Sequence, residues 1–238
     1  MPDQEWPRRL VIVRDGESEK NVVRANAHLK GHDEYPVDVR EADVQLTERG
    51  RRQAIETGKA LQPLGPFYRA SVSPYLRTMQ TAELILQGLD PAPPLRTDER
   101  IREREMGTLD GLTASGVAKH FPAEYERMQR EGRYYYRPPA GESYPDVALR
   151  VHSYLNSMRQ NYAGENVLVV AHAVVIWVFR KVIERLSEQQ LISMMAPGQE
   201  IKNCAVLQYD FDAATGRLQM RVANQVFYQD EMVTAKGE

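Results

Sequence analysis

Three short segments place chemically useful side chains directly after apolar runs. The first is Arg14-Asp15-Gly16-Glu17-Ser18, with Asn21 one helical turn further on. A glycine here lets backbone approach a ligand closely, and amides at the start of a following helix point at an anion. Arg14 adds a forked cation that matches phosphate oxygens. A surface turn with scattered charges is the competing reading. The second segment is Ser73-Pro74-Tyr75-Leu76-Arg77-Thr78-Met79-Gln80-Thr81-Ala82. Arg77 falls in the first turn of a helix, where a cation opposes the macrodipole unless an anion lies nearby. The third is Ala171-His172, whose imidazole can donate to a phosphate or titrate near neutral pH, or can equally be a satisfied structural histidine.

Each segment follows an apolar run of strand length, at residues 10–13, 67–72 and 167–171, and each leads into helical spacing. Helices are expected over 17–27, 47–62, 75–87, 144–162 and 174–185. Thr47 opens the second of these, Asp146 sits in the first turn of the fourth, and Gly164 is expected to close the fourth. Residues 203–209 and 217–223 alternate apolar and polar around Asp212-Ala213-Ala214-Thr215-Gly216, which predicts an edge hairpin. The fold class is therefore α/β, an open, mostly parallel sheet with helices on both faces and active groups at the carboxyl ends of strands.

Two stretches depart from that alternation. Residues 109–142 carry Tyr134, Tyr135, Tyr136 and two consecutive prolines, and are expected to form a helical lid. Residues 22–45 form a long charged loop containing His28, His32, Asp33, Glu34, Asp38, Glu41 and Asp43. His28 and His32 with Asp33 have a spacing compatible with a metal, although an exposed charged loop is the favoured reading.

Composition narrows the function classes. The 238 residues are 42% hydrophobic, enough for the core of one domain spanning 1–238. Thirty-one Lys+Arg against 33 Asp+Glu, without a long run of one sign, argue against a nucleic-acid partner. The single cysteine, Cys204, excludes an internal disulfide framework and fits a reducing, cytoplasmic setting. The longest apolar run, 171–179, is shorter than the ~20 residues of a membrane span, so no membrane partner is expected.

Six blocks in register resemble the histidine phosphatase (phosphoglycerate mutase-like) superfamily: residues 14–21, 46–50, 73–82, 103–107, 141–143 and 167–172. That resemblance implies phosphate-binding arginines at Arg14 and Arg77, a phosphate-binding asparagine at Asn21, a proton donor at Glu103 and the second histidine at His172. It implies a small phosphorylated substrate or inorganic phosphate as ligand, with no metal and no cofactor. It also places the family's nucleophilic histidine at position 15, where this chain carries Asp15. A carboxylate repels a phosphate dianion, at about 4 kcal/mol per pair of unit charges ~4 Å apart for an effective dielectric of ~20. It also competes with phosphate for the same cations, so slow or absent turnover is expected. Retention of Arg14, Asn21, Arg77, Glu103 and His172 favours a recent or introduced change at position 15 over general drift.

Within the superfamily, residues 111–144 look most like the broad phosphatase and fructose-2,6-bisphosphatase branch. The bisphosphatases' sugar-binding lysine, glutamine and arginine align with Ala140, Ala173 and Trp177, which argues against a fructose bisphosphate substrate. Ala173 and Trp177 point to an apolar wall, unless Trp177 simply packs in the core. The expected function is a metal-independent phosphomonoesterase impaired by Asp15. Phosphoglycerate mutase-type transfer and a non-catalytic phosphate-ester binding module are the alternatives. Tyr134 to Tyr136 are expected to pack under the lid or to contact substrate.

Overall fold

A computed structural model describes residues 5–229. Among the described residues six strands form one sheet: β1 (Arg9–Arg14), β2 (Arg69–Val72), β3 (Leu95–Thr97), β4 (Asn166–Ala171), β5 (Val206–Asp212) and β6 (Arg217–Gln225). Their order is β3-β2-β4-β1-β5-β6, parallel from β3 to β1 and antiparallel from β1 through β6. The two central strands read as unbroken aliphatic runs because both faces of the sheet are covered. Leu10 and Ile12 turn to one face, and Val11 and Val13 to the other.

The first face is covered by α6 (Tyr144–Asn161) and α7 (Ala173–Glu184), which contribute Val151, Leu155, Ile176 and Phe179 to its core. Opposite, α2 (Glu48–Leu61) and α3 (Leu76–Leu86) contribute Ala54, Leu61, Ala82 and Ile85. Helix starts are set by side chains. Thr47 caps α2 by accepting from Gly50 N at 3.0 Å. Ser143 and Asp146 form a capping box on α6, and Ser18 with Asn21 does the same for α1 (Glu19–Lys30).

The α/β class, the parallel core and the terminal hairpin thus match the sequence reading. Strand β3, three residues long and polar, carried no periodic signal. The C-cap of α6 is Tyr162 rather than Gly164, which takes a φ of 78° two residues later in the turn to β4. Residues 109–142 contain α4 (Ala114–His120) and α5 (Pro122–Tyr135), the latter interrupted at Gly132, whose φ is 74°. Leu109, Val117 and Tyr136 make a small core of their own. Thr113 Oγ1 donates to the carbonyls of His32 and Asp33, and Lys119 Nζ lies 2.6 Å from Asp33 Oδ2. These contacts tie the segment to the charged loop. The short helix α8 (Glu188–Met194) follows α7. No helix among the described residues is long and apolar enough to cross a membrane.

Candidate active site

Sheet register brings the first and third motifs together. Arg14 pairs with Ala171 and Val72 with Val170, so Asp15, Ser73 and His172 leave three adjacent strands at one level. Backbone bonds fix that exit: Asp15 N donates to Ala171 O at 2.9 Å and Ser73 N to Val170 O at 3.1 Å. His172 Nε2 then lies 2.7 Å from Ser73 Oγ. Its Nδ1 is 3.6 Å from Asp15 Oδ1 and 4.0 Å from Glu103 Oε2, and is buried with no hydrogen-bond partner. One edge of the imidazole is therefore held by Ser73, and the other faces Asp15 and Glu103.

Arg77 lies in the first turn of α3, whose N-cap, Tyr75, provides no side-chain cap. Its Nε is 3.3 Å from Asp15 Oδ2. Its Nη1 and Nη2 donate to the backbone oxygen and Oε1 of Glu41, both at 2.9 Å. The anions that a cation at this helix start calls for are thus two carboxylates of the chain itself. Arg14 Nε, 4.0 Å from Asp15 Oδ1, is buried without a hydrogen-bond partner, while Arg14 Nη1 donates to Ile201 O.

Burial by itself would raise the pKa of Asp15. The His172 imidazole and the charges of Arg77 and Arg14 outweigh that penalty and hold it at about 2, against an ordinary 3.8. At 3.6 Å the His172 contact is too long for a hydrogen bond, so proximity of charge carries the effect. Asp15 accordingly sits in the cage as a carboxylate.

Asn21 Oδ1 accepts from Ser18 N at 3.0 Å, which commits its carbonyl to the cap. Asn203, which is buried, donates from Nδ2 to Asp15 O at 3.1 Å and reaches Asn21 Oδ1 at 3.4 Å. Cys204 N donates to the same Asp15 carbonyl at 3.1 Å. The loop carrying Asp15 also lies close against α2: a Cβ on Gly16 would meet Gly50 O at 2.6 Å.

The predicted Arg14, Asp15, Arg77, Glu103 and His172 converge, and Asn21 joins them through Asn203. Residues that sequence reasoning gave no role are Ser73, Tyr75, Glu41 and Asn203. Ser73 and Tyr75 lie inside a recognised motif. Glu41, 36 residues before Arg77 in an aperiodic loop, gave no local signal. The Tyr75 ring lies edge-on to His172 with 5.1 Å between centroids, and Arg77 stands 5.1 Å above it. Its hydroxyl donates to Glu105 Oε1 at 2.7 Å. Glu103 Oε1 accepts from Arg104 N at 2.8 Å. The Arg104 guanidinium lies 5.0 Å over the Tyr144 ring and donates from Nε to Glu142 O.

Ser73, His172 and Asp15 have the connectivity of a hydrolase triad, and all three are buried. Trp177 is buried in the core with Arg180 5.2 Å over its ring, which settles its role as packing. Ala140 is exposed with a φ of 58°, and Ala173 is the first residue of α7. Tyr134 and Tyr136 are buried, and Tyr136 donates to Glu124 Oε2 at 2.8 Å. Asp33 is taken by Lys119 rather than by His28 and His32. Among the described residues no group of three or more His, Cys, Asp or Glu is placed to hold a metal ion.

A family model for the histidine phosphatase superfamily (branch 1) matches residues 10–224, nearly the whole described chain and every strand end just described. The chain belongs to the histidine phosphatase superfamily. Relatives of this chain include the 2,3-bisphosphoglycerate-dependent phosphoglycerate mutase 2 of Gloeobacter violaceus, 34% identical over 72% of this chain and 76% of the relative. The corresponding mutase of Bartonella bacilliformis is 30% identical over 90% and 98%. Among solved structures, Bacillus stearothermophilus YhfR superposes with a TM-score of 0.72 at 26% identity, covering 92% of this chain and 97% of that one. A mycobacterial glucosyl-3-phosphoglycerate phosphatase solved with inorganic phosphate reaches 0.70 at 22% identity over 92% and 98%, a likeness of fold alone.

Proposed function

We propose that this histidine phosphatase is a metal-independent phosphomonoesterase type whose cage takes a small phosphate ester and whose turnover Asp15 impairs. The observation that carries the reading is the cage itself: Arg14 Nε and His172 Nδ1 are buried without partners, beside an Arg77 that already holds Asp15. Arg14, Arg77, Asn21 and His172 would bind the phosphoryl oxygens, neutralising charge as it shifts during transfer. Glu103 would protonate the leaving oxygen. Position 15 would supply the nucleophile, but a carboxylate already ion-paired to Arg77 both repels the phosphoryl group and lacks the reach of an imidazole.

The test is phosphate release from phenyl phosphate by the native chain and by Asp15→His. The variant should release phosphate at least ~10²-fold faster, the scale on which a positioned catalytic group acts. Equal rates would sink the reading. Calorimetric binding of inorganic phosphate without turnover would mark the native chain as a binding module.

A second reading, mutase-type transfer, is supported by Arg104, a largely buried guanidinium whose pKa is lowered first by burial and also by the nearby charge of Arg133. A cation at Arg104, next in the chain to Glu103, suits a substrate with a second anionic group. Asp15→His supplied with 3-phosphoglycerate and its bisphosphate would then move phosphate between positions faster than it releases it.

A further inference from the structure

We propose that Glu41 is a specificity-determining residue, a carboxylate of the chain that competes with the incoming phosphoryl group for Arg77 and so favours a singly charged phosphate over a doubly charged one. The inference rests on the phosphate reading of the cage. A guanidinium has five N–H donors. On Arg77, Nη1 and Nη2 each give one to Glu41 at 2.9 Å, and Nε faces Asp15 at 3.3 Å. An oxyanion entering the cage finds Arg77 already serving two carboxylates.

Glu41 is fixed in that position from two further sides. It lies in the short 3-10 turn Glu41–Asp43 of the charged loop. Its Oε2 pairs with Lys20 Nζ on α1, and Lys20 continues to Asp110 Oδ1 at 2.7 Å, at the root of the α4–α5 segment. Tyr35 and Tyr75 also lie within its field, and both phenols are pushed up by burial, so they stay neutral. In this linked set Arg14, Arg77 and Lys20 are outnumbered by Asp15, Glu41, Glu103 and Asp110 before His172 is counted.

Charge decides the consequence. Arg77 is buried, and Glu41 is only 21% exposed, so salt and solvent screen this contact weakly. Each charge on the ligand meets Glu41 separately, which makes the repulsion of a dianion twice that of a monoanion. A carboxylate used only to orient Arg77 would show no such dependence on ligand charge.

The experiment is calorimetric titration with inorganic phosphate of the full chain and of Asp15→His, each with and without Glu41→Gln, at ~pH 5.5 and ~pH 8, on either side of the loss of the second phosphate proton. Taking the ratio at each pH cancels titration of groups common to both proteins. Glu41→Gln should tighten phosphate roughly tenfold at the higher pH and at most about threefold at the lower. Glu41→Asp, which keeps the charge, should stay close to the Glu41 parent. Unchanged or weaker binding by Glu41→Gln at the higher pH overturns the proposal and makes Glu41 a positioning residue for Arg77. If Asp15→His binds phosphate equally with and without Glu41→Gln, this inference alone fails. If none of the four proteins binds phosphate, the phosphate reading of the cage fails with it.

Discussion

Two arginine-carboxylate clusters lie close together in this molecule and differ in how completely their hydrogen bonds are satisfied. Arg150 donates from Nε and Nη2 to the two oxygens of Glu142, both at 2.9 Å, and from Nη1 and Nη2 to the carbonyls of Arg100, Arg102 and Glu103. Glu142 also accepts from Glu105 N at 3.2 Å and from Arg102 Nη2 at 3.2 Å. Every donor of that guanidinium is matched. In the cage, by contrast, Arg14 Nε and His172 Nδ1 are buried without partners. The contacts of Asp15 with Arg77, His172 and Arg14, at 3.3, 3.6 and 4.0 Å, exceed the ~2.7–2.9 Å of a charge-assisted hydrogen bond.

The difference separates two uses of buried charge. A saturated cluster fixes backbone: Arg150 and Glu142 hold the segment bearing Glu103 against α6. An unsaturated cluster carries a cost that a ligand can relieve, because buried donors without acceptors are expensive.

The comparison can be broken at several points. Arg150→Met removes a saturated partner, leaves Glu142 with only Arg102 and the Glu105 amide, and strips three carbonyls of their donor. It should cost about 3–5 kcal/mol in a urea denaturation curve. A loss below about 1 kcal/mol would show that saturation is not what holds the segment.

Asp15→Asn tests the other cluster through pH. The folded pKa of Asp15 is about 2, below the ordinary 3.8, so its charge stabilises the fold above about pH 3.8, and that contribution fades as pH falls through about 2. Asp15→Asn should therefore be less stable than the native chain by about 2 kcal/mol near neutrality. The gap should shrink toward low pH, and a pH-independent gap would refute the electrostatic account.

The smallest effect is expected for Tyr75→Phe. This keeps the ring against His172 and removes the 2.7 Å bond to Glu105, for a loss of about 1 kcal/mol. Phosphate affinity should stay within about twofold in the same titrations. A larger loss of affinity would give the Tyr75 hydroxyl a part in the cage itself.

Much of the fold was legible because the relevant forces are local. The aliphatic runs in β1 and β4 alternate between two buried faces, and Thr47 and Asp146 stand where helix starts need them. Strand β3 was not legible, since three half-polar residues have no period and owe their pairing to β2. Trp177 left two readings open in sequence, and only the packing around it selected the core.

The residue types and spacing of the motifs determined by themselves that Arg14, Asp15 and His172 would stand at strand ends, because each apolar run delivers its next residue to the edge of a sheet. They also determined that Arg77 required an anion, since a cation at a helix start is unfavourable alone. Which anion meets it was decided only by tertiary structure. The register of β1 and β4 brings Asp15 beside His172, and an aperiodic loop folds back to lay Glu41 along Arg77. Contacts between residues so far apart in the chain depend on the closure of loops and on sheet pairing, neither of which any local pattern encodes.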